Sequence, residues 1–549
     1  MSSTFPARSL ASRAPIGSSP GLRGAVVPHQ LRIVLIDVRH SNSIRPSPPI
    51  LDLPAGRKKG ARRVARNFGL LLSAEVLAQL LGFVLLAYLA RVLGADGFGL
   101  LTYATAVTTG VVSLQEAGTD SWGIREVSRD PGRLRIVLGA VLGARLSMAA
   151  VAGSALAVYA VHGVIAARAA DAPHPMRAWA LLFGCVSVAA GALQTSWAYR
   201  AMERVIPVAA ANVIQRALAV GLVLGFVHSS TNAPRAVLLQ GASELVVAVV
   251  LLLGLRHLVV GVGVRPAWDG ALARRAVKEA WPMGASRMTR AGVVALTVGI
   301  LAHTSTNATV GHYGAANRLV MALLTVSAVF SMAVMPSIVR ACARGIGATQ
   351  TVSAAQRLLI ALYLPVVVGG VLLARPIMTW LFGVEFTSSA LPLRLLILSL
   401  PFSALSDPLR SVLLALHRQA DILRAVAGAA TVTIVSGLVL CPRFGAEGAS
   451  SAVLAGEVTL FALTWISVRR HGVQLPIVEP LLRPLVAVVV MATAVQLLGN
   501  HELVSIILAS AVVYVAVLLA VGGVTVADLH ALDTPKGATD VPSGETPRA

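Results

Sequence analysis

From Asn67 onward the chain alternates between apolar runs long enough to cross a bilayer and short polar breaks. A helix rises about 1.5 Å per residue, so about 20 apolar residues cover a hydrocarbon core roughly 30 Å thick. On that rule spans are predicted near 67–90, 100–121, 136–162, 178–199, 207–227, 235–255, 281–303, 309–338, 357–374, 391–416, 421–440, 446–468, 484–499 and 502–524. The pattern is that of an all-α polytopic membrane protein with about fourteen transmembrane helices. Gly, Ala and Ser recur within the runs, the small residues that let helix backbones approach closely in lipid.

Composition agrees with this pattern and charge orients it. Hydrophobic residues make up 56% of the 549 and charged residues 13%, against about 25% charged in a soluble domain. Mean hydropathy is +0.77. A net charge of +22 is a feature of nucleic-acid binders, but here twelve of the 46 Lys and Arg lie in the first 66 residues and most others in short connections. No aromatic-studded basic surface of the single-strand-binding kind is present. With a cytoplasmic N-terminus, the inner connections (122–135, 200–206, 256–280, 339–357, 417–424 and 469–483) carry nineteen Lys or Arg, far more than the opposite set. The positive-inside rule therefore places both termini in the cytoplasm and the chain in the cell membrane. Cys185, Cys342 and Cys441 have neither metal-ligand nor disulfide spacing and read as packing residues, so no cofactor is implied.

The expected organisation is a disordered basic tail (1–66), a first six-helix half (67–255), a cytoplasmic linker (256–280), a second six-helix half (281–468), two additional helices (469–524) and a C-terminal tail (525–549). A weak internal repeat supports the halves. "DGFGLLTYA" (Asp96–Ala104) corresponds to "VGHYGAANR" (Val310–Arg318) with Gly97 and Gly311 offset by 214, and "AYRAMERV" (Ala198–Val205) to "ALHRQADI" (Ala415–Ile422) with an offset of 217. Transporters built from such repeats hold substrate between them.

"ARVLGADGFGLL" (Ala90–Leu101) has the glycine density of a phosphate loop. A nucleotide motif needs a preceding strand, a following helix and its own glycine order, and here a membrane helix precedes G-x-x-G-x-G with no Lys-Ser/Thr after it. Gly94, Gly97 and Gly99 read instead as a structural turn.

Around that turn, "LLLSAEVLAQLLGFVLLAYLARVLGADGFGLLTYATAV" (Leu70–Val107) resembles the polysaccharide-biosynthesis flippases. These are the Wzx-type O-antigen and capsule repeat-unit exporters of the multidrug/oligosaccharidyl-lipid/polysaccharide (MOP) superfamily. The similarity continues through "EAGTDSWGIREVSRDPGRL" (Glu116–Leu134), "SWAYRAMERV" (Ser196–Val205), "VGHYGAANRLV" (Val310–Val320) and "FGAEGASSAVLAGEV" (Phe444–Val458). Acidic or aromatic residues usual in the family's seventh span are not evident in "RAGVVALTVGILAH" (Arg290–His303). The resemblance implies a MATE-like MOP fold. It also implies a flippase that moves polyprenyl-diphosphate-linked oligosaccharide, and so serves lipopolysaccharide or other surface-polysaccharide synthesis beside the pathway's glycosyltransferases and polymerase.

Ionisable groups at membrane depth cost roughly 2.5–3.5 kcal/mol each on insertion scales and usually face a cavity or a partner. Counted from the span ends, Glu75, Arg145, Arg216, Glu244, Arg290 and Arg318 fall near the midplane. Arg287 and Arg410 are shallower, and Glu116, Asp120 and Asp407 nearer the ends. Structural ion pairs or snorkelling would account for any one of them. Together they predict a cationic cavity in which Arg145, Arg216, Arg290, Arg318 and Arg287 bind a diphosphate, because guanidinium stays charged when buried and grips phosphate bidentately. Glu75 and Glu244 are candidates for proton or ion coupling, or for neutralising neighbouring arginines. A drug or cation exporter of the same fold would favour acids in the cavity. A polyprenyl-dependent glycosyltransferase or polymerase would want a carboxylate or metal pair on a large outer loop, and "GVIAARAADAPHPMR" (Gly163–Arg177) offers a lone Asp171.

Overall fold

The computed structural model describes residues 56–169, 176–258, 269–344, 348–472, 479–499, 501–525 and 528. Among these residues there is no strand. The first half comprises α1 (Gly56–Glu116), α2 (Thr119–Arg129), α3 (Leu134–Ala169), α4 (Met176–Leu193), α5 (Ser196–Ala201), α6 (Val205–Phe226) and α7 (Ala233–Leu258). The second comprises α8 (Gly270–Thr304), α9 (Asn307–Arg344), α10 (Ala348–Leu372), α11 (Ala374–Phe382), α12 (Ala390–Ile397), α13 (Leu400–Ala415) and α14 (Gln419–Arg470). Two helices are appended, α15 (Glu479–Leu497) and α16 (Leu503–Ala520).

Ten helical segments are long and apolar enough to cross a membrane. Two of them, Ser73–Arg129 and Gln419–Arg470, each hold two spans joined at a bend, and the shorter apolar helices Met288–Thr304 and Leu482–Leu497 complete fourteen crossings. Of the expected tails, residues 1–55 and nearly all of 525–549 lie outside the described residues, as do 259–268 of the linker. Gly56–Arg66, expected as tail, is helical and opens α1.

The bends are single glycines: Gly94 (φ 65°, ψ −178°) and Gly445 (φ 54°, ψ −125°). Left-handed backbone costs an ordinary residue roughly 1–2 kcal/mol, which glycine avoids. This narrows the turn expected from three glycines to one. Gly97 and Gly99 have helical backbone, and their smallness serves packing instead. A Cβ on Gly97 would stand 3.1 Å from the Ser230 carbonyl oxygen, and one on Gly99 would overlap the Asn307 carbonyl at the start of α9. Gly311 likewise presses on the Ala95 carbonyl, so the two repeat motifs pack against each other.

The repeat shows again at the far ends of α5 and α13. Glu203 (φ 58°) and His417 (φ 57°) are both left-handed. In one, Arg204 N–H donates to the Tyr199 carbonyl at 2.9 Å, and in the other Arg418 N–H donates to Leu413 at 2.8 Å. These are the same closing bonds 214 positions apart. The structural offset at this landmark is thus 214, and the 217 read there from residue types was three too long.

Connections add what periodicity did not predict: α2 after the second span, α11 before α12, and the first third of α8. Ala276 and Ala280 of α8 are buried in the first half's core beside Trp122, Trp197 and Tyr199. Trp122 Nε1–H donates to Glu279 at 2.9 Å, and α8 crosses the first half where Gly284 meets Ala117 and Gly118 backbone to backbone. At the opposite end, the largest core cluster joins Leu89, Phe98 and Leu101 of the first half to Tyr313, Phe382 and Phe386 of the second.

Candidate functional site

The second segment of α1, packed between the halves, carries Thr105, Thr108 and Thr109 on its cavity side. Facing them, α4, the residue just past its end, α6 and α7 supply Ser187, Gln194, Gln215, Arg216, Gln240 and Glu244, and Glu116 closes the end of α1. Together they line a polar cavity of about 350 Å3 within the first half. Thr105 and Thr108 return their hydroxyl protons to backbone carbonyls one turn earlier, so they present oxygen lone pairs. Arg318 of α9 reaches in from the second half, with Nη2–H donating to Thr105 Oγ1 at 3.2 Å.

Arg216 and Arg318 are close enough to repel each other, and Glu244, which lines the cavity with Ser187, lies within electrostatic reach of Arg216. Each of these residues stands ten to eleven residues from the end of its helix segment, near the midplane at about 1.5 Å per residue. Two guanidinium groups therefore face one carboxylate at that level. Arg216 is exposed to the cavity and has no hydrogen-bond partner among the described residues. Two more polar atoms lack partners there: Gln194 Oε1 and Gln240 Nε2 are buried with no hydrogen bond. An unmade buried bond costs about 1–3 kcal/mol, so such atoms mark a place where a polar guest completes the set.

Arg145 lies elsewhere. It is fully buried, with Nη2–H on Asp120 at 2.6 Å, Nε–H on Thr119 Oγ1 at 2.9 Å and Nη1–H on the Gln194 carbonyl at 3.0 Å. Thr119 and Asp120 open α2, just past the end of α1, so Arg145 is level with a helix end and not with the midplane. The expectation failed on length: α3 has 36 residues and overshoots the bilayer, so counting from its start misstates depth.

Arg290 is exposed to a different cavity, of about 250 Å3, inside the second half. There it shares the wall with Asn317 and with Glu457, whose carboxylate accepts from Ser403 at 2.9 Å. The side chain of Arg287 lies outside the described residues. Glu75 accepts from Gln79 at 3.3 Å and precedes the Gly94 bend by 19 residues, roughly 28 Å, which is nearly a full bilayer thickness. It does not line the polar cavity. Arg410 is paired with Asp407, which also accepts from Ser327 at 2.8 Å. Of the five arginines singled out, then, the structure brings Arg216 and Arg318 together and sets Arg145 and Arg290 apart.

Sequence reading missed the threonines and glutamines of the first cavity and Glu457 of the second. Polar residues inside long apolar runs were their only signal. It also missed an apolar groove of about 720 Å3 between α9, α10, α15 and α16, lined by residues such as Leu323, Pro365, Met491 and Leu518. Outside the membrane, the Arg275 side chain at 2.7 Å, aided by the Trp122 indole, holds the Glu279 carboxyl below its ordinary value. Among the described residues no group of three or more His, Cys, Asp and Glu gathers to hold a metal.

Comparison with known proteins fits this architecture. The chain superimposes on the lipid II flippase MurJ in an inward closed conformation with a TM-score of 0.67 at 13% identity, covering 84% of this chain and 99% of that one. It also superimposes on an inward-facing multidrug resistance MATE family transporter of the MOP superfamily, with a TM-score of 0.57 at 14% identity over 73% and 97% of the two chains. At such identities the likeness establishes the fold: two six-helix halves of the MOP type with two helices appended. No curated protein matches the chain in sequence. The family model described as "Polysaccharide biosynthesis protein" matches residues 64–342, which is half of the chain, and the protein therefore belongs to the polysaccharide biosynthesis protein family.

Proposed function

We propose that this multi-pass membrane protein flips a polyprenyl-diphosphate-linked oligosaccharide across the cytoplasmic membrane for surface polysaccharide synthesis, O-antigen among the candidate products. The observation that carries the reading is the polar cavity at mid-membrane. There Arg216 and Arg318 converge from the two halves, with the orphaned amide nitrogen of Gln240 in the same lining and the orphaned amide oxygen of Gln194 nearer the helix ends. Guanidinium forks match a diphosphate, and hydroxyl and amide groups match sugar hydroxyls. The apolar groove along α15 and α16 supplies a surface for a polyprenyl chain. Glu244 and, toward the end of α1, Glu116 temper the cavity's charge, and Glu244, level with the two arginines, is the group proposed to exchange a proton or bind a coupling ion. By the positive-inside rule the α2 end faces the cytoplasm, where glycosyltransferases assemble the substrate. The α11 end faces outward, where a polymerase consumes it.

The test is export of the lipid-linked glycan in cells, read beside the amount of protein in the membrane. Arg216→Ala and Arg318→Ala each remove a charge-assisted contact of about 1.5–3 kcal/mol, a loss of roughly ten- to hundred-fold at normal protein level. Lys at either position restores part of it, keeping the charge without the fork. Undiminished export by both Ala variants would overturn the reading.

A further inference from the structure

At the α11 end the halves are tied together by contacts unlike those in the cavity. Arg177, in the first turn of α4, sends Nε–H to Asn307 Oδ1 at 2.6 Å and Nη1–H to the Ala302 carbonyl at 2.8 Å. Both acceptors belong to the second half, and both are neutral. The same guanidinium lines a cavity of about 520 Å3 between the halves, with Tyr103, Tyr159, His162 and His303 around it. No Asp or Glu lines this cavity among the described residues. A cation held by neutral oxygens, with no acid among the described lining residues, binds an incoming anion more strongly than its present partners. Its bonds to neutral carbonyls involve one charge, whereas a phosphate oxygen adds the opposite charge and two such oxygens can take two parallel guanidinium N–H groups.

We propose that this cavity is a second, outward-side site for a phosphate-class anion, and that the anion opens the α11 end by drawing Arg177 away from Asn307 and Ala302. The proposal rests on the flippase reading for its ligand, the diphosphate of the lipid-linked substrate on its way out. Ligand binding and release of the latch are then one exchange of hydrogen bonds. The Arg177 donors leave an amide and a backbone carbonyl of the second half and close on phosphate oxygens, so the free energy of binding is spent on parting the halves. An empty transporter keeps the latch and stays shut toward the outside.

The experiment uses the full-length protein in phosphatidylcholine nanodiscs, with inorganic pyrophosphate as the probe. Spin labels replace Ser229 in the first half and Ser388 in the second, both exposed at the α11 end, in a background lacking the three native cysteines. Pyrophosphate should lengthen the distance between the labels in the parent protein and in Arg216→Ala. Asn307→Ala, which frees one Arg177 donor, should respond at about tenfold lower pyrophosphate concentration, the scale of one released hydrogen bond. Arg177→Ala should start from the longer distance and ignore pyrophosphate. A parent distance that pyrophosphate leaves unchanged overturns the proposal, as does an Arg177→Ala protein that stays closed and still responds. Lengthening in phosphatidylglycerol nanodiscs without pyrophosphate would give the site to ambient lipid headgroups and overturn the link to substrate. The flippase reading fails separately: it falls if the Arg216 and Arg318 variants export normally, whatever the labels do.

Discussion

Arg145 and Arg216 are the same residue type, each set in an apolar helix of the first half, and their surroundings could hardly differ more. Arg145 is sealed from solvent, with Asp120, Thr119 and a backbone carbonyl taking its donors. Arg216 opens onto a cavity lined also by Glu244 and Glu116, with a second cation near it and no hydrogen-bond partner among the described residues. A buried charge with its partners in place fixes the joint between α2, α3 and the end of α4. A charge without them is a standing cost that folding tolerates only where water or a ligand can meet it. The contrast separates arginines that hold the fold from arginines free to act.

Thermal stability of the purified protein puts that contrast on a scale. The largest loss is expected for Arg145→Ala, which strands the Asp120 carboxylate and should cost about 3–5 kcal/mol. Removing both charges, as Arg145→Met with Asp120→Leu, should recover most of it. If Arg145→Ala melts like the parent and only export falls, Arg145 belongs with the functional arginines. A much smaller effect is expected at Glu279, a half-exposed carboxylate held by Arg275 and Trp122. Its folded pKa lies below the ordinary 4.5, so its contribution is present above about 4.5 and is lost as pH falls through the folded value. Melting curves of the parent and Glu279→Gln should therefore differ near neutrality and converge in acid, and a gap that widens on acidification would reverse the assignment. The smallest change is expected for Arg216→Ala, within about 0.5 kcal/mol of the parent, as for substitutions that break no contact. A loss on the Arg145 scale there would erase the distinction.

How much of this was legible in the sequence depends on how local each property is. Apolar run length is set by bilayer thickness and needs no knowledge of neighbours, so the fourteen crossings, the two halves and the appended pair could be read residue by residue. Gly94 was legible as the site of a bend. That Gly97 and Gly99 serve contact was not, because the Ser230 and Asn307 carbonyls they approach lie over 130 and 200 residues away. Depth counted along one helix was a fair guide for Arg216 and Glu244, whose helices have 22 and 26 residues, and Arg318 is tied to the same level by its bond to Thr105. It misled for Arg145 and Glu75, whose helices run past it.

The sequence by itself determined that the chain is a membrane bundle, where it crosses, and that arginine rather than aspartate or glutamate dominates its interior charge. Only the tertiary structure decided which of those arginines share a cavity. Pairing is a relation between helices: whether Asp120 meets Arg145, whether Arg318 reaches Thr105, and whether Arg290 faces Glu457 all depend on rotations and crossings. Those are fixed by close packing of glycines and small side chains across the whole bundle, and no single stretch of sequence carries them.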